Sequence, residues 1–224
     1  MGSVSASIIG AYMQMLPAQY VLVAIPLNMF SSLIIASLIA PPVNISDEAD
    51  EVDVKEVSEA KSFFEAMGNG ALDGGKIALI VAAMLIAFIA SLELVNWIIS
   101  SIFAGVTLQQ ILGYVLAPIG FLMGIAPGEL IQTGGIMGTK IITNEFVAML
   151  ELEPLVGELS EKTVGIVSVF LTSFANFASI GIIAGTVQGI DSEKGAAVSK
   201  FGLKLLIGAT LGSILSATIA GLFL

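Results

Sequence analysis

A carboxylate, a carboxamide and a hydroxyl stand inside apolar stretches of this sequence. Glu145 lies in Thr143-Asn144-Glu145-Phe146-Val147-Ala148, and Asn176 and Ser179 lie in Phe174-Ala175-Asn176-Phe177-Ala178-Ser179. A charge at membrane depth costs roughly 2.5–3.5 kcal/mol on insertion scales, so Glu145 is expected to face a polar cavity and to act there. The three groups suit a neutral, hydroxyl-rich solute. A carboxylate accepts hydrogen bonds on both oxygens, and a carboxamide both donates and accepts. Such a site rejects analogues that lack a hydroxyl, because its own buried groups are then left unpaired. Three residues apart, Asn176 and Ser179 would share one face of a regular helix.

Each of these residues also has a plainer reading. Glu145 could be a structural ion-pair partner of Lys140, although five residues apart on a helix the two lie on different faces. Asn176 and Ser179 could be interhelical hydrogen-bonding groups, worth only about 0.6 kcal/mol on average in a membrane protein. By pattern alone Phe174 and Phe177 read as lipid-facing or core residues.

Composition narrows the field. The 224 residues include no Cys and no His, and all eight cations are Lys. Thiol chemistry, imidazole bases and most transition-metal sites are thereby removed. Charged residues make up 12% of the chain and mean hydropathy is +1.00, the signature of a polytopic membrane protein. The net charge of −10 owes much to one acidic loop holding Asp47, Glu48, Asp50, Glu51, Asp53, Glu56 and Glu59, which repels nucleic acid.

The elements that must position the polar groups follow from the apolar runs. Residues 1–40 give a short apolar piece ended by Pro17 and then a span closed by Pro41-Pro42. Residues 41–76 form the acidic loop. Within it Val54, Val57, Ala60, Phe63, Phe64 and Met67 mark one face of a helix suited to the membrane interface. A further span falls within 77–104, with Trp97 as an interfacial anchor. Residues 113–150 hold two apolar halves parted by Pro127-Gly128-Glu129, and the second half carries Lys140, Asn144 and Glu145. Neither half spans convincingly, so together they predict a re-entrant helical hairpin, tolerated at depth only inside protein or beside a cavity. Residues 160–224 give the last two spans.

Small residues at four-residue spacing (Gly120/Gly124/Gly128, Gly134/Gly138, Gly181/Gly185/Gly189, Gly208/Gly212) would let helix backbones approach closely. A hairpin that returns to its own side places Lys55, Lys61, Lys76, Lys194, Lys200 and Lys204 on one face of the membrane and Lys162 on the other. The excess of positive charge then puts the acidic loop in the cytoplasm and the C-terminus outside.

The strings Asn144-Glu145-Phe146-Val147-Ala148, Phe174-Ala175-Asn176, Ser160-Glu161-Lys162-Thr163 and Ala83-Met84-Leu85-Ile86-Ala87-Phe88-Ile89 resemble the concentrative nucleoside transporter family. The likeness runs in order along essentially the whole chain. It implies an all-α polytopic membrane protein with a re-entrant helical hairpin and a broken transmembrane helix. In that family two hairpins and two broken helices meet at mid-membrane as inverted copies, in keeping with secondary transporters generally. The resemblance assigns Glu145 to ribose hydroxyls, Phe174 to the base, and Asn176 and Ser179 to the ribose. Val4, within Gly2-Ser3-Val4, would contact the nucleobase. Ala178 departs from the serine often found at its position.

The family's first hairpin, with its glycine-glutamine-threonine-glutamate motif, has no counterpart in the sequence, and the sodium ligands are expected there rather than in this chain. The resemblance therefore implies the C-terminal portion of a nucleoside symporter coupled to sodium or protons, with no other cofactor. Uridine-like nucleosides, the lipid bilayer and a separate N-terminal half would be its partners. A homotrimer in a prokaryotic plasma membrane is implied as well. The alternative is a non-transporting subunit, truncated or encoded by a split gene, that needs a separate N-terminal half. An intramembrane enzyme is disfavoured, since no nucleophile–base pair and no metal set is present.

Overall fold

The computed structural model describes residues 2, 4, 6–40, 62–103, 105–181, 183 and 192–224. The described residues are helical almost throughout, in two units: residues 1–41 with 95–224, and Pro42–Leu94.

In the first unit α1 (Ala6–Met15) is followed by Pro17, whose missing N–H cannot continue a helix. The Pro17 carbonyl then accepts from the Tyr20 and Val21 N–H groups and opens α2 (Ala18–Ile39). Helix α3 (Phe63–Ile102) begins in the second unit. It runs unbroken through Ile77, where the sequence reading drew a boundary between loop and span. Forty residues at 1.5 Å each make a helix of about 60 Å, twice the thickness of a bilayer core. Phe63, Phe64 and Met67 are exposed on its first turns. Val54, Val57 and Ala60 of the expected interfacial helix lie outside the described residues.

Helix α4 (Leu108–Met123) opens with a reciprocal cap, in which the Thr107 side chain and Gln110 satisfy one another's backbone N–H. It stops at Gly124, whose φ of 96° is open to glycine. A 3₁₀ turn (Pro127–Glu129) leads into α5 (Leu130–Ile142), and Thr143-Asn144 separates that helix from α6 (Glu145–Leu152). After a second 3₁₀ turn (Glu153–Leu155) comes α7 (Glu161–Leu171). Residues 172–176 are not helical, and helix resumes at Phe177. The last element is α8 (Ser192–Phe223). Two helical stretches, Ala18–Ile39 and Ala196–Phe223, are long and apolar enough to cross a membrane.

The sequence reading placed one interruption, at Pro127–Glu129; the structure has two. At the first, α4 and α5 pack backbone to backbone. A Cβ on Gly134 would stand 2.8 Å from the Gly113 carbonyl oxygen, and one on Gly135 would stand 2.8 Å from that of Gln109. The Gly134/Gly138 spacing thus has a concrete partner in α4. After the second interruption, at Thr143-Asn144, α6 packs against α5 with Glu145 in its first turn. The open end is tied by Glu129, whose carboxylate accepts from the Ser160 N–H and hydroxyl, both at 2.8 Å. Slight desolvation pushes the Glu129 pKa up, but hydrogen bonds from Thr163 and Ser160 outweigh it and hold the carboxyl below its usual value.

Helix α7 sits at the centre of the first unit. Thr163 to Leu171 are all buried, as expected of a helix apolar on every side. Neighbouring helices α2, α5 and α8 pack around it. In lipid this burial gains by close packing rather than by hydrophobic transfer, because the surrounding tails are equally apolar.

The glycine contacts predict a contrast measurable by unfolding the chain in detergent micelles. Gly134→Ala pushes a methyl into backbone and should cost about 1–3 kcal/mol. Gly10→Ala, in α1 with nothing within 4 Å, should instead gain about 0.5–1 kcal/mol from helix propensity. Equal effects at the two positions would contradict the packing described.

Candidate functional site

Two backbone breaks meet in the first unit, one between α5 and α6 and the other after α7. At the first, Asn144 has extended backbone (φ −161°, ψ 171°) and its side chain accepts from the Val147 N–H at 3.0 Å. Asparagine is among the preferred residues for such a cap. Glu145 follows in the first turn of α6, where the positive end of the helix dipole favours a negative charge. The Asn-Glu pair is therefore a local device, in which one residue starts the helix and the next uses its polarity.

Glu145 is 4% exposed, yet each of its oxygens has a donor. Oε1 accepts from the Tyr12 hydroxyl at 2.9 Å, and Oε2 accepts from Asn176 Nδ2 at 2.7 Å. Tyr12 is completely buried and is held by an edge-to-face contact with Phe146, their ring centroids 5.2 Å apart. A carboxylate offers about four acceptor positions, more than these two donors fill.

At the second break Asn176 does two jobs. Its amide donates to Glu145, while Oδ1 accepts from the Ser179 N–H at 2.8 Å and caps the helix resuming at Phe177. This corrects one expectation. Asn176 and Ser179 are neighbours because one caps the other's backbone across the break, not because both lie on the face of a regular helix. The α7 end of the break is closed by α2, where Asn28 Nδ2 donates to the Thr172 carbonyl at 2.5 Å.

Lys140 also serves this break, and the sequence reading gave it no role beyond a doubtful pairing with Glu145. It is completely buried. Its Nζ donates to the Phe170 carbonyl at 2.5 Å, to Ser173 Oγ at 2.7 Å and to Ser213 Oγ at 3.4 Å. The signal for it was the same one that exposed Glu145: a charge inside an apolar run. Tyr12 carried no comparable signal, since only the fold brings α1 beside α6.

Of the residues expected at the site, Glu145, Asn176 and Ser179 thus come together. Phe174 lies in the same break, half-buried, and Val4 lies ahead of α1, partly buried against the apolar core. Among the described residues no cluster of three or more His, Cys, Asp or Glu could hold a metal ion.

The arrangement predicts unequal costs for its two donors, measured by unfolding in micelles. Tyr12→Phe removes one hydrogen bond to a charged group, about 1.5–3 kcal/mol if the carboxylate stays ionised. Asn176→Ala removes another and also the helix cap, worth about 1 kcal/mol more. A smaller effect for Asn176→Ala than for Tyr12→Phe would contradict the double role.

Comparison with known proteins agrees with this geometry. A family described as Na+ dependent nucleoside transporter C-terminus matches residues 20–221. The purine nucleoside transport protein NupG of Bacillus subtilis is 41% identical over 224 residues, covering 100% of this chain and 56% of the relative. Sodium/nucleoside cotransporter 1 of Rattus norvegicus is 31% identical over 242 residues, covering 98% of this chain and 37% of the relative. Among solved structures, CNTnw in an inward-facing substrate-bound state superposes with a TM-score of 0.88 at 31% identity, covering 99% of this chain and 55% of the other. Variants of CNTnw are solved in outward-facing and intermediate states. The chain spans about half the length of NupG, and less of the rat protein.

Proposed function

Because the chain belongs to the concentrative nucleoside transporter family, whose C-terminal half it matches, we propose that it forms one wall of a nucleoside site in a cation-coupled symporter. The family is one of membrane transporters, not enzymes. The observation that carries the proposal is the Glu145 carboxylate, buried in the first turn of α6 and fixed on each oxygen by a donor from another element. A carboxylate held this rigidly, with acceptor positions to spare, suits the paired hydroxyls of a ribose. The short hairpin α5–α6 is then the re-entrant element, and α7 with the helix resuming at Phe177 is the broken one. Phe174 would lie beside the base, with Asn176 and Ser179 at the ribose and Val4 on the base's far side.

The rest of the reading concerns the whole transporter. Nucleoside and cation, sodium or proton, move inward together by alternating access. The name of the rat relative supports sodium; the solved states of CNTnw support the conformational cycle. The N-terminal half of the transporter supplies the other wall and the cation ligands, and the assembly is a homotrimer in a prokaryotic plasma membrane. The acidic loop faces the cytoplasm.

A chimera tests this. The N-terminal half of NupG is placed ahead of the 224 residues, in cells that lack nucleoside uptake. The chimera should accumulate uridine or adenosine against a gradient, and the 224 residues alone should not. In the chimera Glu145→Gln should weaken nucleoside affinity roughly ten- to two-hundred-fold, from the loss of about 1.5–3 kcal/mol of charge-assisted bonding, without lowering its amount in the membrane. Concentrative uptake by the 224 residues alone would contradict the half-site reading. A chimera that reaches the membrane and carries no nucleoside would contradict the assignment of the solute.

A further inference from the structure

Lys140 presents three N–H donors to three oxygens, the Phe170 carbonyl and the hydroxyls of Ser173 and Ser213. The two serines are arranged for this. Ser213 donates its own proton to the Ala209 carbonyl at 2.9 Å, and the serine oxygens are 2.6 Å apart. Ser173 can therefore donate to Ser213 while both oxygens turn lone pairs toward the ammonium. The face of the Phe170 ring completes the shell, with Nζ 4.2 Å from its centroid. Among the described residues no carboxylate accepts a hydrogen bond from this ammonium; the Glu145 oxygens accept from Tyr12 and Asn176.

The place is as telling as the ligands. Phe170 is in the last turn of α7, where the dipole is negative and carbonyls lose their helical partners. Broken helices in transporters offer such unwound carbonyls and half-helix C-termini to a free monovalent cation. We propose that Lys140 is a tethered cation, filling that kind of position at the α7 break permanently with its own ammonium. Because Lys140 belongs to the last turn of α5, three residues before Thr143, the tether also fixes the start of α6 against the break and so sets Glu145 opposite Asn176. A mobile coupling cation then has no vacancy at this break. The tether goes beyond the transport reading and does not rest on it.

Chemical rescue tests it, using the whole 224-residue chain in detergent micelles and melting temperature as the readout. Lys140→Ala deletes, beyond Cβ, the equivalent of n-propylammonium. Its lowered melting temperature should rise by several degrees in propylammonium or sodium chloride relative to choline chloride at equal ionic strength. The unsubstituted chain should melt alike in all three salts. Lys140→Met, which fills the space without charge, should be destabilised and unresponsive. A Lys140→Ala chain as stable as the original, or lowered equally in every salt, would overturn the proposal. If Lys140→Ala fails to accumulate, Lys140→Gln decides. Its neutral amide can still donate two hydrogen bonds, so accumulation and melting at the original level would overturn the proposal. A clear loss supports a need for the charge.

Discussion

A backbone group freed inside a packed protein must find a partner, and the elements around residues 143–144 and 172–176 answer that constraint. Each break is closed by side chains. Asn144 caps the start of α6, and Asn176 caps the helix after α7. Asn28 and Lys140 take the carbonyls left at the end of α7. Removing any of these would leave a buried polar group unpaired, at a cost of about 1–3 kcal/mol. The polar residues that look like insertion liabilities in the sequence are therefore what permits the helices to be broken.

The same closures build the site. Asn176 spends one end of its carboxamide on backbone and the other on Glu145. Glu145 in turn occupies the first turn of the helix that Asn144 starts. Structure and recognition thus share atoms, and the carboxylate is oriented before any ligand arrives. Preorganisation of this sort lowers the ordering cost of binding. Lys140 and Glu145 make no direct hydrogen bond to one another: the ammonium donates to Phe170, Ser173 and Ser213, and the carboxylate accepts from Tyr12 and Asn176.

Much of this was legible in the residues, and the limits have physical causes. Glu145 and Asn176 stood out because a charge or an amide in an apolar run is costly and demands a reason. Pro17 and Pro127-Gly128-Glu129 marked real interruptions between helices, while Gly124, read only as a small packing residue, is where α4 ends. The helix break at Thr143-Asn144 was not legible because it contains neither glycine nor proline; an extended asparagine cap interrupts the helix there instead. Helix α3 outran its expected start because Gly68, Asn69 and Gly70 lower helix propensity without forbidding it. Tyr12 is 133 residues from Glu145 in sequence, and only assembled α1 and α6 make them partners.

The central claim is that the Glu145 carboxylate accepts hydrogen bonds from the hydroxyls of a nucleoside. Its most direct measurement is the affinity of uridine against its ribose-deoxy analogues in an assembled transporter, with and without Glu145→Gln. With Glu145 present, deleting the hydroxyl it binds should weaken affinity by about 1.5–3 kcal/mol. With Glu145→Gln the same deletion should matter far less, because the charge that made the bond strong is gone. An identical penalty in the two backgrounds, for every hydroxyl of the ribose, would show that the carboxylate does not bind the sugar.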